Sequence, residues 1–126
     1  MAKKQVANLT FFKADNFGAV LQTYALQRFF VDTYGVDYRI LNKYAKAEDN
    51  FYSNWSLSVD VGKAAKLKND LMYRKYRKPF LDRRRKFREF RERFLNVTAP
   101  VGKNLDGSGY DFMVAGGDQI WNPRLY

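Results

Sequence analysis

Cysteine and histidine are both absent from this 126-residue chain. The first absence excludes disulfides, thiolate metal sites and cysteine nucleophiles within it. The second removes the commonest general base and the commonest transition-metal ligand. Acid–base chemistry therefore falls to Asp, Glu, Lys or Tyr, or to groups outside this chain, and no ligand set for a metal is legible. Long apolar runs are missing as well. No stretch approaches the ~18 uninterrupted apolar residues that a spanning helix needs. Asn8, Thr10 and Lys13 interrupt the start before a signal-peptide core can form. A cytoplasmic location is the expectation, and the glycosylation triplets at Asn8, Asn54 and Asn96 then carry no weight.

What is present suffices for one domain and falls short of two. Hydrophobic residues make up 46% and aromatics 17%, enough to fill a core. The net charge of +10 is confined to one segment. Lys63 to Arg93 holds 14 Lys/Arg against 4 Asp/Glu, and the rest of the chain holds 9 of each.

Val6 to Phe12 is an apolar, β-favouring run and reads as a strand from about Gln5 to Phe12. After Gly18 the apolar positions take helical spacing: Val20, Leu21, Tyr24, Ala25, Phe29 and Phe30. This predicts a helix over about 19–33, capped by Asp15 or Asn16 and ended at Gly35, where a left-handed residue is needed. Val36 to Leu41 alternates and reads as a second strand. Strand, helix and strand with short joints predict a parallel pair. Residues 42–60 hold Tyr44, Phe51, Tyr52 and Trp55 without a period, as expected of a long loop covering the domain edge.

Gly62 to Lys78 favours helix, and Pro79 is expected to break or kink it. Beyond, Phe80, Phe87, Phe90 and Phe94 share one face while arginines and lysines fill much of the rest. Pro100 to Gly109 reads as a turn-rich connector. Tyr110 to Ala115 reads as a third strand running into Gly116-Gly117, with Asp118 placed to cap a helix of which only the first residues precede Tyr126. On this reading the chain is expected to be a piece of a longer protein. It shows no internal repeat and no low-complexity tract.

Three constellations can carry chemistry. A glycine at a strand-to-helix turn, as in Asn16-Phe17-Gly18, lets backbone N–H groups approach an anion. One glycine is equally what a tight turn requires, and neither the three-glycine dinucleotide fingerprint nor a Walker sequence is present. Gly116-Gly117-Asp118-Gln119 exposes backbone beside a carboxylate and an amide, and Trp121 adds a flat surface suited to a sugar ring or base. Asp118 as a helix cap and Trp121 as core are the plainer alternatives. Third, Arg83, Arg84, Arg85, Arg88 and Arg91 form a cationic face backed by apolar residues, the pattern of helices that contact anionic membranes or polyanions. Its plainer reading is a solvated helix face. Phenylalanines in helical phase look like core rather than a stacking platform, which disfavours single-stranded nucleic acid.

Two stretches resemble the polysaccharide pyruvyltransferase family. One is Asn16-Phe17-Gly18-Ala19-Val20-Leu21-Gln22-Thr23-Tyr24-Ala25-Leu26-Gln27; the other is Tyr110-Asp111-Phe112-Met113-Val114-Ala115-Gly116-Gly117-Asp118-Gln119-Ile120-Trp121-Asn122-Pro123. Gly117 stands where that family often has serine. The resemblance implies an α/β, Rossmann-like three-layer lobe with a mostly parallel sheet, the N-terminal half of a GT-B-like two-lobe enzyme. Residues 1–126 would be that lobe, incomplete at its C-terminus, with a basic helical insertion at about 63–95. The implied activity transfers a pyruvyl group from phosphoenolpyruvate, as donor substrate, to a hydroxyl pair of a glycan or lipid-linked saccharide, forming a cyclic ketal without another cofactor. In the family the Arg and His groups associated with the donor lie largely in the second lobe, so this chain is expected to be inactive alone. Asn16, Gly18, Gln22, Gly116, Gly117, Gln119 and Trp121 would then line the acceptor side of the cleft, with Asp118 as general base, and the arginine face would touch an anionic membrane peripherally. Two readings from other classes stay open: a polyanion- or nucleic-acid-binding α/β module, and a nucleotide-sugar-binding half-domain.

Overall fold

A computed structural model describes residues 2–43, 63–102, 107–117 and 120 and, within the long basic helix, the side chains from 71 onward except 73. Among the described residues the fold is α/β, with a four-stranded, all-parallel sheet and two helices. The elements run β1 (Gln5–Thr10), α1 (Phe17–Tyr34), β2 (Asp37–Lys43), α2 (Lys63–Phe94), β3 (Val97–Val101) and β4 (Phe112–Gly116). The strands lie in the order β3-β2-β1-β4. Val6 stands between Tyr38 and Phe112 in register, and Thr10 pairs with Gly116.

One side of the sheet presents Val6, Tyr38 and Ile40, which form the core with Phe12 and Leu95. Phe30 of α1 stacks on Tyr38 at 5.3 Å. Burial raises the Tyr38 phenol well above its ordinary range, and its hydroxyl has no hydrogen-bond partner among the described residues. α2 packs on α1 through Phe87 against Phe17 and through Phe90 and Phe94 against Tyr24, so both helices cover the same side.

The face that α1 buries differs from the expected one. Val20, Thr23 and Gln27 are buried, whereas Leu21 and Phe29 are each 52% exposed. Two polar residues are tolerated inside because each is paired. Thr23 Oγ1 donates to the Ala19 carbonyl at 2.8 Å. Gln27 bridges α2 to β3: its Nε2 donates to the Phe94 carbonyl and its Oε1 accepts from Asn96 N, both at 2.8 Å. Such satisfied groups escape the cost of burying a lone amide or hydroxyl.

The caps follow the sequence. Asn16 is the N-cap of α1, and Gly35 closes the helix in the left-handed region at φ 63°. Two other features differ from the reading of the sequence. α2 runs unbroken through Pro79. A proline costs the helix one hydrogen bond, but Met72, Tyr76, Phe80, Phe87, Phe90 and Phe94 keep one helical phase across it. A fourth strand, β3, is also present; it begins before the connector expected at 100–109 and overlaps it only at Pro100 and Val101. Pro100 is accommodated there because β3 is an edge strand, where a missing N–H is tolerated. Of the loop expected at 42–60, Asn42 and Lys43 instead continue β2, and the rest lies outside the described residues, as does Asp118, the expected cap of the last helix. Among the described residues, no helix is long and apolar enough to cross a membrane.

Candidate functional site at the carboxyl edge of the sheet

Strand order sets the site. From β1 the chain steps outward to β2 and β3, then returns to place β4 on the other side of β1. In open α/β sheets, the crevice outside the carboxyl ends of the strands at such a reversal is where ligands bind. Thr10 and Gly116 end β1 and β4 side by side there, so the two glycine-bearing loops singled out in the sequence leave the sheet as neighbours.

The close approach is built into Gly116. A Cβ at this position would lie 3.2 Å from Leu26 Cδ2 of α1 and 3.6 Å from Asn8 Oδ1. Gly117 follows at φ 101°, a conformation that disfavours side chains, and a Cβ there would meet Gln22 Oε1 at 3.9 Å. Gln22, Gly116 and Gly117 therefore come together, with the Gln22 amide exposed beside an open backbone turn. A carboxamide next to open backbone offers donors and acceptors of the kind that hydrogen-bond sugar hydroxyls. Asp118, Gln119 and Trp121 lie outside the described residues.

Asn16 and Gly18 occupy the first turn of α1 at the same edge. Asn16 Oδ1 accepts from Gly18 N at 2.8 Å and from Ala19 N at 3.3 Å. These are two of the N–H groups an anion would otherwise meet, and the helix's own cap engages them. A Cβ on Gly18 would lie 3.2 Å from the capping oxygen, closer than an ordinary van der Waals contact.

Of the arginines in the cationic face, three converge on the loop before this cap. Arg91 Nη1 pairs with Asp15 Oδ1 at 3.0 Å and donates to the Ala14 carbonyl at 3.3 Å. Arg84 Nε lies 3.4 Å from Asp15 Oδ2, and Arg83 Nη2 donates to the Asp15 carbonyl at 2.7 Å. The Asp15 side chain is only 11% exposed. Arg85 pairs with Asp82 and Glu89 along its own helix. Arg88 is exposed and forms no ion pair among the described residues. The cationic face is thus divided: one edge of it holds the β1–α1 loop and another faces outward.

Sequence reasoning offered Asp15 only as a possible cap and gave no sign of its role as a hub, because its partners lie 68 to 76 residues away. Asn8 was likewise not singled out. It is fully buried in the central strand beside Gly116, and neither amide atom has a partner among the described residues. Polar character inside an apolar strand was the signal that could have marked it. No cluster of acidic side chains suited to a metal occurs among the described residues. In comparisons with protein-family models, with curated proteins and with solved structures, nothing matches this chain.

Proposed function

We propose that this chain is the N-terminal, Rossmann-like lobe of a pyruvyltransferase-like enzyme of two-lobe, GT-B-like design, with a third layer on the second face of the sheet. The lobe supplies the acceptor-side wall of the cleft, and a second lobe brings the His and Arg groups that hold phosphoenolpyruvate. The reaction joins the enol carbon of phosphoenolpyruvate to two hydroxyl oxygens of a glycan or lipid-linked saccharide; its methylene takes one of the released protons to become methyl, and inorganic phosphate leaves with the other. The observation that supports this reading is the register of Thr10 with Gly116, which sets the two motif-bearing loops side by side at the reversal of strand order.

In this reading Gln22 and the Gly116–Gly117 turn hydrogen-bond the acceptor sugar, Gln119 and Trp121 extend that surface, and Asn16 and Gly18 keep the first turn of α1 in place. Asp118 takes the proton from the attacking hydroxyl. The enzyme works in the cytoplasm, with outward cations such as Arg88 in peripheral contact with an anionic membrane. Asp118→Asn in the two-lobe enzyme tests the chemistry: the chemical step falls far more than acceptor binding, and an unaltered rate rules out the base.

A further inference from the structure

A cavity of about 880 Å³ opens between the first turns of α1 and the middle of α2. Its position follows from how the helices run. The contacts of Phe17 with Phe87 and of Tyr24 with Phe90 and Phe94 make α1 and α2 parallel. The residues of α2 before Phe87 therefore extend past the start of α1, by roughly 35 Å at 1.5 Å per residue. This overhang stands beyond the carboxyl edge of the sheet.

The floor of the groove is apolar and open. Phe17 is 68% and Leu21 52% exposed, with Pro79 and Phe90 opposite them. Its rim is cationic. Lys78, Arg83 and Lys86 line it against one carboxylate, Asp82, which already pairs with Arg85 at 3.5 Å. Neither Lys78 nor Lys86 forms an ion pair among the described residues. Cavities of this size with an apolar lining and a few charged groups are typical of small-molecule sites. An inorganic anion would leave the apolar floor wet, and a neutral apolar ligand would leave the lysines without a counter-charge.

We propose that the groove binds a single anionic amphiphile, its hydrocarbon chain lying on Leu21, Phe17 and Phe90 and its phosphate or carboxylate head between Lys78 and Lys86. The site is separate from the sheet-edge corner and does not depend on pyruvyl transfer. Titrating dodecyl phosphate, below its micelle concentration, into the 126-residue chain by calorimetry tests it. Saturable binding of one molecule per chain is expected. Dodecyl maltoside and inorganic phosphate should each bind at least about tenfold more weakly, and Leu21→Asp and the double change Lys78→Glu/Lys86→Glu should each cost at least about tenfold. Because Leu21 is half exposed, circular dichroism should show Leu21→Asp folded; Leu21→Ser serves in its place if it is not. The proposal is overturned by unsaturable heats, by inorganic phosphate binding as well as the amphiphile, by unchanged affinity in the Leu21 variant, or by binding seen only with anionic vesicles.

Discussion

The two edges of the sheet handle an aspartate in opposite ways. At the amino edge, Asp37 at the start of β2 pairs with Arg39 of the same strand at 2.8 Å. The guanidinium hydrogen bond lowers the carboxyl below its usual value, against a smaller effect of burial. That pair is local and largely solvated. At the carboxyl edge, Asp15 holds two guanidiniums and its carbonyl a third, all from α2. The Asp37–Arg39 ion pair lies within one strand, whereas the ion pairs of Asp15 come from a helix far along the chain. An arginine run that reads as a surface in sequence is here partly a clamp on the loop leading into the candidate site.

Asp15→Ala should break that contrast most strongly. It strands Arg91, 18% exposed, and Arg84 without their carboxylate, and a loss of about 2–3 kcal/mol is expected, below the range for fully buried pairs. Urea unfolding measures it. Gly116→Val comes next, at about 2 kcal/mol, because the added side chain meets Leu26 and Asn8. Asn16→Ala removes the cap of α1 and should cost about 1 kcal/mol, read as a lower thermal midpoint. Asp37→Asn should change least, under about 1 kcal/mol, because exposed pairs are screened. The sign follows from the lowered carboxyl. Its contribution is present above the unfolded value of about 3.9 and is lost as pH falls through the folded one. Stability curves of the variant and the parent should therefore converge toward low pH; a gap that widens there would refute the assignment.

Features with a local cause were legible in sequence. Asn16 and Gly35 bound α1 because capping and left-handed closure are properties of single residues in a short window. The ends of β1 and β4, from which the two glycine-bearing stretches leave the sheet, are neighbours through the Thr10–Gly116 register. What escaped depends on distant partners. Thr23 and Gln27 look like solvent positions until the Ala19 and Phe94 carbonyls and the Asn96 amide are in place. β3 was hidden by Pro100, which an edge strand accepts and an interior one would not. Pro79 looked like a helix break because its local cost is plain, while the in-phase apolar stripe across it spans several turns.

The central claim concerns the corner formed by Gln22 and the Gly116–Gly117 turn. Phosphoenolpyruvate-dependent ketal formation on a glycan acceptor tests it most directly, assayed with the 126-residue chain alone, with a His- and Arg-bearing second lobe supplied, and with Gln22→Ala in that two-lobe protein. No turnover by the chain alone is expected, along with turnover by the two-lobe protein that falls at least about tenfold on Gln22→Ala, a factor near 1.4 kcal/mol. Turnover by the isolated chain, or a two-lobe protein indifferent to Gln22, would contradict the account.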